Sequence, residues 1–173
     1  MYRRLLENNN CIKSNSVITL NQLEPKKIDS LIAKILQETP NLFKYNRFFY
    51  DKNINREKAV SLYQNWVINS AKLEKNNFFL LLDNNKKIAA FCILSIINYF
   101  TIKVARIDMI GTLNRGKNCG TKILQEVFSI LNKRKIAVLY ANADSQNYAA
   151  QNLYAKNGFK IYNSIREYHN WIK

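Results

Sequence analysis

The chain has 173 residues, is 47% hydrophobic, and sets 27 Lys and Arg against 12 Asp and Glu, a formal charge of +15. That apolar share supports a buried core and excludes a disordered chain, while the longest apolar run, "IAAFCILSII" at 88–97, falls well short of the roughly 20 residues that span a bilayer. The charge attracts polyanions and leaves three readings open: lysines on solvated faces, a nucleic-acid surface, or a site for small ligands carrying several phosphates.

No repeat, linker or low-complexity tract divides the sequence, so one domain over 1–173 is expected, with 1–16 assigned to no element. The opening "MYRRLLENNNC" lacks the apolar stretch of a secretory signal. Cys11, Cys92 and Cys119 are odd in number and widely spaced, which predicts reduced thiols, a cytoplasmic protein and no metal site. "SVITLNQL" reads as a strand. Behind it Ile28, Leu31, Ile32, Ile35 and Leu36 recur at helical spacing, with Pro25 suited to a first turn. After "NRFFYD", Ala59, Leu62, Tyr63, Trp66 and Val67 predict a second helix with these side chains on its inward stripe.

The period then changes. "FFLLLD", "IAAFCILSII" and "IKVARIDMI", separated by "NNKK" and "NYFT", predict three antiparallel strands joined by hairpins. In the last of them the alternation slips between Ile102, Val104 and Ile107, Met109, as an inserted bulge residue or a doubly buried strand would produce. Ile123, Leu124, Val127, Phe128 and Leu131 mark a third helix, and "IAVLYANA" a buried strand. A fourth helix runs over 145–157 to a cap at Gly158, and 159–173 is expected to close the chain as a hairpin or paired strands. The class is α/β: a mixed, mostly antiparallel sheet with helices on both faces.

Three of the four glycines fall in "GTLNRGKNCG", between a strand and a helix, where unpaired N–H groups favour a phosphate. "GTLNRGKN" nearly spells a Walker A loop. Asn118 stands where the magnesium-binding hydroxyl belongs, and too few residues follow for parallel crossover strands, so that reading is set aside.

Arg115, Gly116, Lys117, Asn118, Cys119 and Gly120 resemble the Arg/Gln-x-x-Gly-x-Gly/Ala pyrophosphate loop of the GNAT superfamily of acyl-CoA N-acyltransferases. Asn118 departs from the pattern, yet Asn tolerates left-handed backbone well. "NADSQNYAAQNLYAKNGF" is similar to the superfamily's next segment. Asn147 and Tyr154, seven residues apart, are expected about 10 Å apart on one helical face, with small Ala150 between them.

The resemblance implies acetyl-CoA as cofactor. Its diphosphate would lie on the loop and on Thr121, its pantetheine arm against Asn147, Ala150 and the backbone of Met109, Ile110 and Gly111, and Tyr154 would protonate the departing thiolate. A phenol is protonated at neutral pH and suits that role. Cys119 reads as a packed small residue, with no base beside it to make it a nucleophile.

"YNRFFYDKNINREKAVSLYQNWVINS", at 45–70, and the ending "YHNWIK" resemble the GNAT enzymes that N-acetylate TDP-4-amino-4,6-dideoxy sugars for surface polysaccharides. This implies a TDP-linked amino sugar as acceptor, with Arg47, Phe48, Tyr63 and Trp66 at its site. The general base is His169, the one histidine, or Asp108. A protein N-terminal or small-amine acetyltransferase shares the cofactor motifs, and a basic RNA-binding module is the alternative from another class. Neither membrane nor nucleic acid is a favoured partner, and a homodimer is left open.

Overall fold

The computed structural model describes residues 1–6, 17–114 and 116–172. Its strands are β1 (Tyr2–Leu5), β2 (Val17–Thr19), β3 (Phe78–Leu82), β4 (Ile88–Tyr99), β5 (Ile102–Thr112), β6 (Val138–Ala141) and β7 (Lys160–Ile161). Its helices are α1 (Pro25–Leu42), α2 (Arg47–Tyr50), α3 (Arg56–Leu73), α4 (Cys119–Lys133) and α5 (Tyr148–Lys156). The strands form one sheet in the order β2-β3-β4-β5-β6-β1-β7. Every junction is antiparallel except β5 with β6. Among the described residues no helix is long and apolar enough to cross a membrane.

Two apolar layers cover the sheet, each made by one set of strand side chains and one pair of helices. Ile28, Leu31, Ile32 and Ile35 of α1 and Val67 and Ala71 of α3 pack on Phe78, Leu80, Phe91, Ile93 and Met109. On the other face Ile123, Leu124, Val127, Phe128 and Leu131 of α4 and Tyr154 of α5 pack on Phe79, Leu81, Cys92, Leu94, Ala105 and Ile107. Burying these two layers is what orders the chain, since the local helix and strand preferences are each small.

Pro25 opens α1 at its first turn as predicted. Pro40, near the end of α1, lacks the N–H that would bond the carbonyl of Leu36. The Gln64 amide of α3 donates to that carbonyl instead, at 3.1 Å, so the defect becomes a tie between the two helices.

Several local expectations give way to tertiary context. In α3 the buried residues are Ala59, Val67, Ser70 and Ala71, whereas Leu62 is 44% and Trp66 39% exposed. The inward stripe is therefore rotated, because α3 meets α1 along the Val67–Ala71 side. "SVITLNQL" gives a three-residue strand and then a 3-10 turn at Leu20–Gln22, and "NRFFYD" holds the one-turn helix α2.

The fourth helix begins at Tyr148. The closing segment contributes the two-residue β7 and runs on without regular structure. It forms no hairpin because the place beside β6 is taken by β1, whose Tyr2 pairs with Ala141 on one side and Ile161 on the other. The expectation for 1–16 therefore resolves into a strand at Tyr2–Leu5, with 7–16 outside the described residues.

Gly111 shows how tightly the α1/α3 layer is filled. A Cβ there would lie 2.6 Å from Cε1 of Phe91, its cross-strand partner, and 3.3 Å from Cδ1 of Leu42. Gly111→Ala is expected to cost about 1–3 kcal/mol, a loss of roughly 2–10 °C in Tm by thermal denaturation. An unchanged Tm would mean that the ring does not lie on this glycine.

Candidate active site

The site begins with one extra residue. In the β4–β5 ladder Leu94 pairs with Ile107 and Ile93 with Met109, so Asp108 has no partner and bulges. Before it, Ala105 and Ile107 face α4. After it the parity is inverted, with Met109 in the α1/α3 layer and Ile110 against the other. The sequence placed the slip between Val104 and Ile107; the ladder runs unbroken through both, and the bulge comes later, between Ile107 and Met109. The parallel ladder to β6 ends at Ile107 opposite Ala141, and β5 continues to Thr112 paired with β4 only. Beside Met109, Ile110 and Gly111, the edge turned toward β6 thus offers backbone N–H and C=O groups to a ligand.

The loop that follows is tied down at its start, since the N–H groups of Leu113 and Asn114 both donate to the carbonyl of Ala89, at 2.9 and 3.2 Å. Gly116 has φ +78°, with nothing within 4 Å of where a Cβ would stand. Asn118, the N-cap of α4, is left-handed at φ 55°, ψ 23°, a conformation that Asn tolerates better than most residues other than glycine. The first intrahelical bond of α4 runs from Lys122 N–H to Asn118 at 3.1 Å, so the N–H groups of Cys119, Gly120 and Thr121 have no helical acceptor. Left-handed turns feeding a helix N-terminus make an anion nest, and this one suits a diphosphate.

Lys117 is exposed beside the nest, and Cys119 is buried under it with Sγ 3.8 Å from the Lys117 carbonyl. Thr121 spends its hydroxyl on the amide of Asn157, at 3.2 Å, leaving its backbone for a ligand. Arg115 lies outside the described residues.

On α5 the expected pairing of Asn147 with Tyr154 on one helical face changes form. Asn147 is the N-cap, and its Oδ1 accepts from Ala150 N–H at 3.1 Å, so its amide N–H₂ is the part left for a cofactor arm. Tyr154 is 2% exposed. The helix ends in a Schellman turn, with Gly158 N–H on Ala155 O, Phe159 N–H on Tyr154 O, and Gly158 at φ +79°. "NGF" therefore fixes Tyr154 directly: the Phe159 ring packs 5.2 Å from it and Tyr2 packs 5.5 Å away on another side. Burial, then the neighbouring Cys92 and Tyr2, push its phenol above the ordinary tyrosine value.

The predicted acceptor residues gather at the junction of α1, α2 and α3. Tyr63 stacks on Phe43 at 5.0 Å, with Phe48, Phe49 and Trp66 at 6.1–6.4 Å around it. Phe43 reaches Phe91 at 6.3 Å, and Phe91 lies on Gly111, so this aromatic wall adjoins the open β5 edge. Tyr63 is pushed up to about 12, first by burial, against the pull of Arg47 and with the help of Asp144 and Glu167. Burial and then Asp144 raise Tyr50, so the loop after β6 lies within electrostatic reach of α2 and α3.

Arg47 packs over Phe48, 4.7 Å from its centroid, and pairs with Glu167. The two proposed bases differ. Asp108 is 7% exposed in its side chain, with its oxygens taken by Ser95 Oγ and by Arg106 Nε at 2.8 Å, an arrangement that pins the bulge. His169 stands in the closing segment beside Phe48, ring centroids 6.3 Å apart, and against Asp51, a partner that sequence reasoning missed. Among the described residues no group of three or more His, Cys, Asp and Glu could hold a metal ion.

The model of the Acetyltransferase (GNAT) family matches residues 36–159. No curated protein matches the chain. Among solved structures, a Pyrococcus furiosus protein assigned as an acetyl transferase aligns with TM-score 0.64 and 16% identity over 89% of this chain and 98% of its own. YycN of Bacillus subtilis gives 0.63 and 15% over 90% and 99%. The aminoglycoside 6'-N-acetyltransferase AAC(6')-Ih of Acinetobacter baumannii gives 0.57 and 13% over 91% and 98%. At these identities the likeness speaks for the fold.

The nest makes a direct prediction: acetyl-CoA raises the melting temperature without Mg²⁺. Asn118→Gly keeps that shift. Gly120→Val, which drives a branched side chain into Leu153 where even a Cβ would stand 3.0 Å away, weakens it at least tenfold in apparent Kd. Equal stabilisation by MgATP, or normal binding by the Val variant, would overturn the loop assignment.

Burial of the two phenols gives a second. Their folded values lie above the unfolded one, so their contribution to stability is whole below about pH 10 and is lost as pH rises through the folded values, about 12 for Tyr63. In an absorbance titration, Tyr63→Phe and Tyr154→Phe should each remove amplitude above about pH 11; removal near pH 10 instead would contradict the packing.

Proposed function

This chain belongs to the GNAT acetyltransferase family and is an acyltransferase, and from that premise we propose that it acetylates the amino group of a TDP-linked amino-dideoxy sugar by direct transfer. The observation that carries the cofactor half is the parting of β5 from β6 at Ile107 and Ala141, beside the nest at Gly116 to Thr121. Acetyl-CoA fits that arrangement and supplies an activated thioester. The edge at Met109, Ile110 and Gly111 would hold the pantetheine arm, and an N–H there would polarise the carbonyl as negative charge develops on it. Asn147 would steady the arm from the other side. Tyr154, kept protonated by its surroundings, would give its proton to the sulfur, and His169 would take one from the amine.

The acceptor half rests on the segment 45–70 and on the aromatic wall that it builds. Tyr63 and Trp66 offer faces on which a nucleotide base or a sugar ring can stack, and Arg47 offers a cation for the second diphosphate. A second reading has its own support. Arg47 is already paired with Glu167, and Asp51 and Asp144 add carboxylates near the wall, a setting that favours a free cationic amino sugar. Two of the structural neighbours are named as aminoglycoside 6'-N-acetyltransferases.

The experiment is kcat/KM at fixed acetyl-CoA for a TDP-amino sugar, the same sugar free, an aminoglycoside and a set of peptide N-termini. The TDP-sugar should lead by at least about 100-fold over the free sugar, because its remote contacts position the amine. A peptide or an aminoglycoside in first place would reassign the acceptor. No turnover with any amine, together with tight RNA binding, would sink the catalytic reading. Tyr154→Phe should lower kcat by about 10²-fold and leave acetyl-CoA affinity intact; unchanged kcat would leave Tyr154 a packing residue.

A further inference from the structure

The closing segment docks on α2 through side chains separated by more than a hundred positions, and one of these contacts does more than hold the segment down. Asp51 caps α2 with its side chain 11% exposed and each oxygen engaged. Oδ1 accepts from Asn53 N–H at 2.9 Å. Oδ2 accepts from the indole Nε1–H of Trp171 at 3.1 Å and faces Nδ1 of His169 at 2.5 Å. The hydrogen bond from His169, then the Asn53 N–H, then Trp171 hold the Asp51 carboxyl below the usual carboxylate range, so it is ionised and can only accept.

The hydrogen in the Asp51–His169 contact therefore sits on Nδ1, which leaves Nε2 its lone pair whenever the ring is neutral. A second partner makes the choice of tautomer specific: Trp171 occupies the same oxygen from another direction and stops the carboxylate from turning away. The imidazole meets the carboxylate of Asp51, the C-cap of α2, and the ring of Phe48, over which Arg47 packs while it pairs with Glu167.

We propose that Asp51 is the positioning residue for His169, fixing the tautomer that presents Nε2 as the proton acceptor for the substrate amine, with Trp171 holding Asp51 in place. This rests on the reading of the chain as an N-acetyltransferase with His169 as base. In the step, a proton of the substrate ammonium passes to Nε2. The freed nitrogen pair bonds to the thioester carbonyl carbon, the C–S bond breaks with its electrons going to sulfur, and Tyr154 protonates the sulfur. The second amine proton leaves to water as the amide forms, which balances the one that Tyr154 regains, and the imidazolium returns its proton to solvent.

His169 is the only histidine in the chain, so its ring nitrogens can be read alone by ¹⁵N NMR. In the unaltered protein at a pH where the ring is neutral, Nδ1 should carry the hydrogen and Nε2 should show the unprotonated shift. Asp51→Asn should scramble the tautomers and lower kcat about 10- to 100-fold, while KM for acetyl-CoA and the acetyl-CoA-induced Tm shift stay as they were. Asp51→Glu should recover part of the rate.

An Nε2–H tautomer in the unaltered protein overturns the proposal without any variant. So does Asp51→Asn with unchanged tautomer and rate while His169→Gln is slow; that result would leave His169 as base and remove Asp51 alone. A fast His169→Gln enzyme removes the base reading, and the positioning role with it.

Discussion

Everything in the site depends on the one unpaired residue that β5 inserts into its ladder with β4. Asp108 has no partner in the ladder, and its carboxylate is gripped by Ser95 from the neighbouring strand and Arg106 from its own. The cost of an unpaired backbone unit is offset there by charge-assisted hydrogen bonds in a half-enclosed place. Inverting the pleat from Met109 onward has two effects. Gly111 turns to the α1/α3 face, where Phe91 lies across it, and β5 leaves β6 behind at Ile107. A regular strand would have continued the ladder and closed the edge.

The same inversion joins the open β5 edge to the aromatic wall at α1, α2 and α3. From Gly111 the contact passes through Phe91 to Phe43, then to Tyr63, Phe48 and His169, a run of rings spaced 5.0–6.4 Å apart. Stacked rings are stiff and bury much area at little side-chain entropy. On the proposed reading, this wall would hold an acceptor amine at a set distance from the β5 edge. The opposite side is fixed by different means: the Asn147 cap at the start of α5 and the Schellman turn at its end clamp Tyr154 from both directions along the helix.

What the sequence made legible was local and periodic. Ile28, Leu31, Ile32 and Ile35 were inward because one helical face met the sheet. Broken alternation along β5 announced a bulge because alternation cannot survive an inserted residue, although it lies at Asp108 and not at the step from Val104 to Ile107 where the sequence put it. Asn118 was readable as left-handed from its side-chain chemistry. Contacts between distant positions leave no such trace. Nothing in "YRRL" announces a strand wedged beside β6, and neither Arg47 with Glu167 nor Asp51 with His169 has a spacing to detect. In α3 the apolar residues were correctly listed, but which of them faced inward depended on where α1 lay, so Leu62 and Trp66 came out exposed.

The central claim is that acetyl-CoA lies along the open edge of β5 with its diphosphate on the nest that begins α4. Amide hydrogen exchange measured with and without acetyl-CoA tests it most directly, because the claim names the amides. Protection is predicted in peptides covering 109–111 and 116–121, with the outer surfaces of α1 and α3 unchanged. Protection confined to α1 and α3, or absent under saturating acetyl-CoA, would contradict the account.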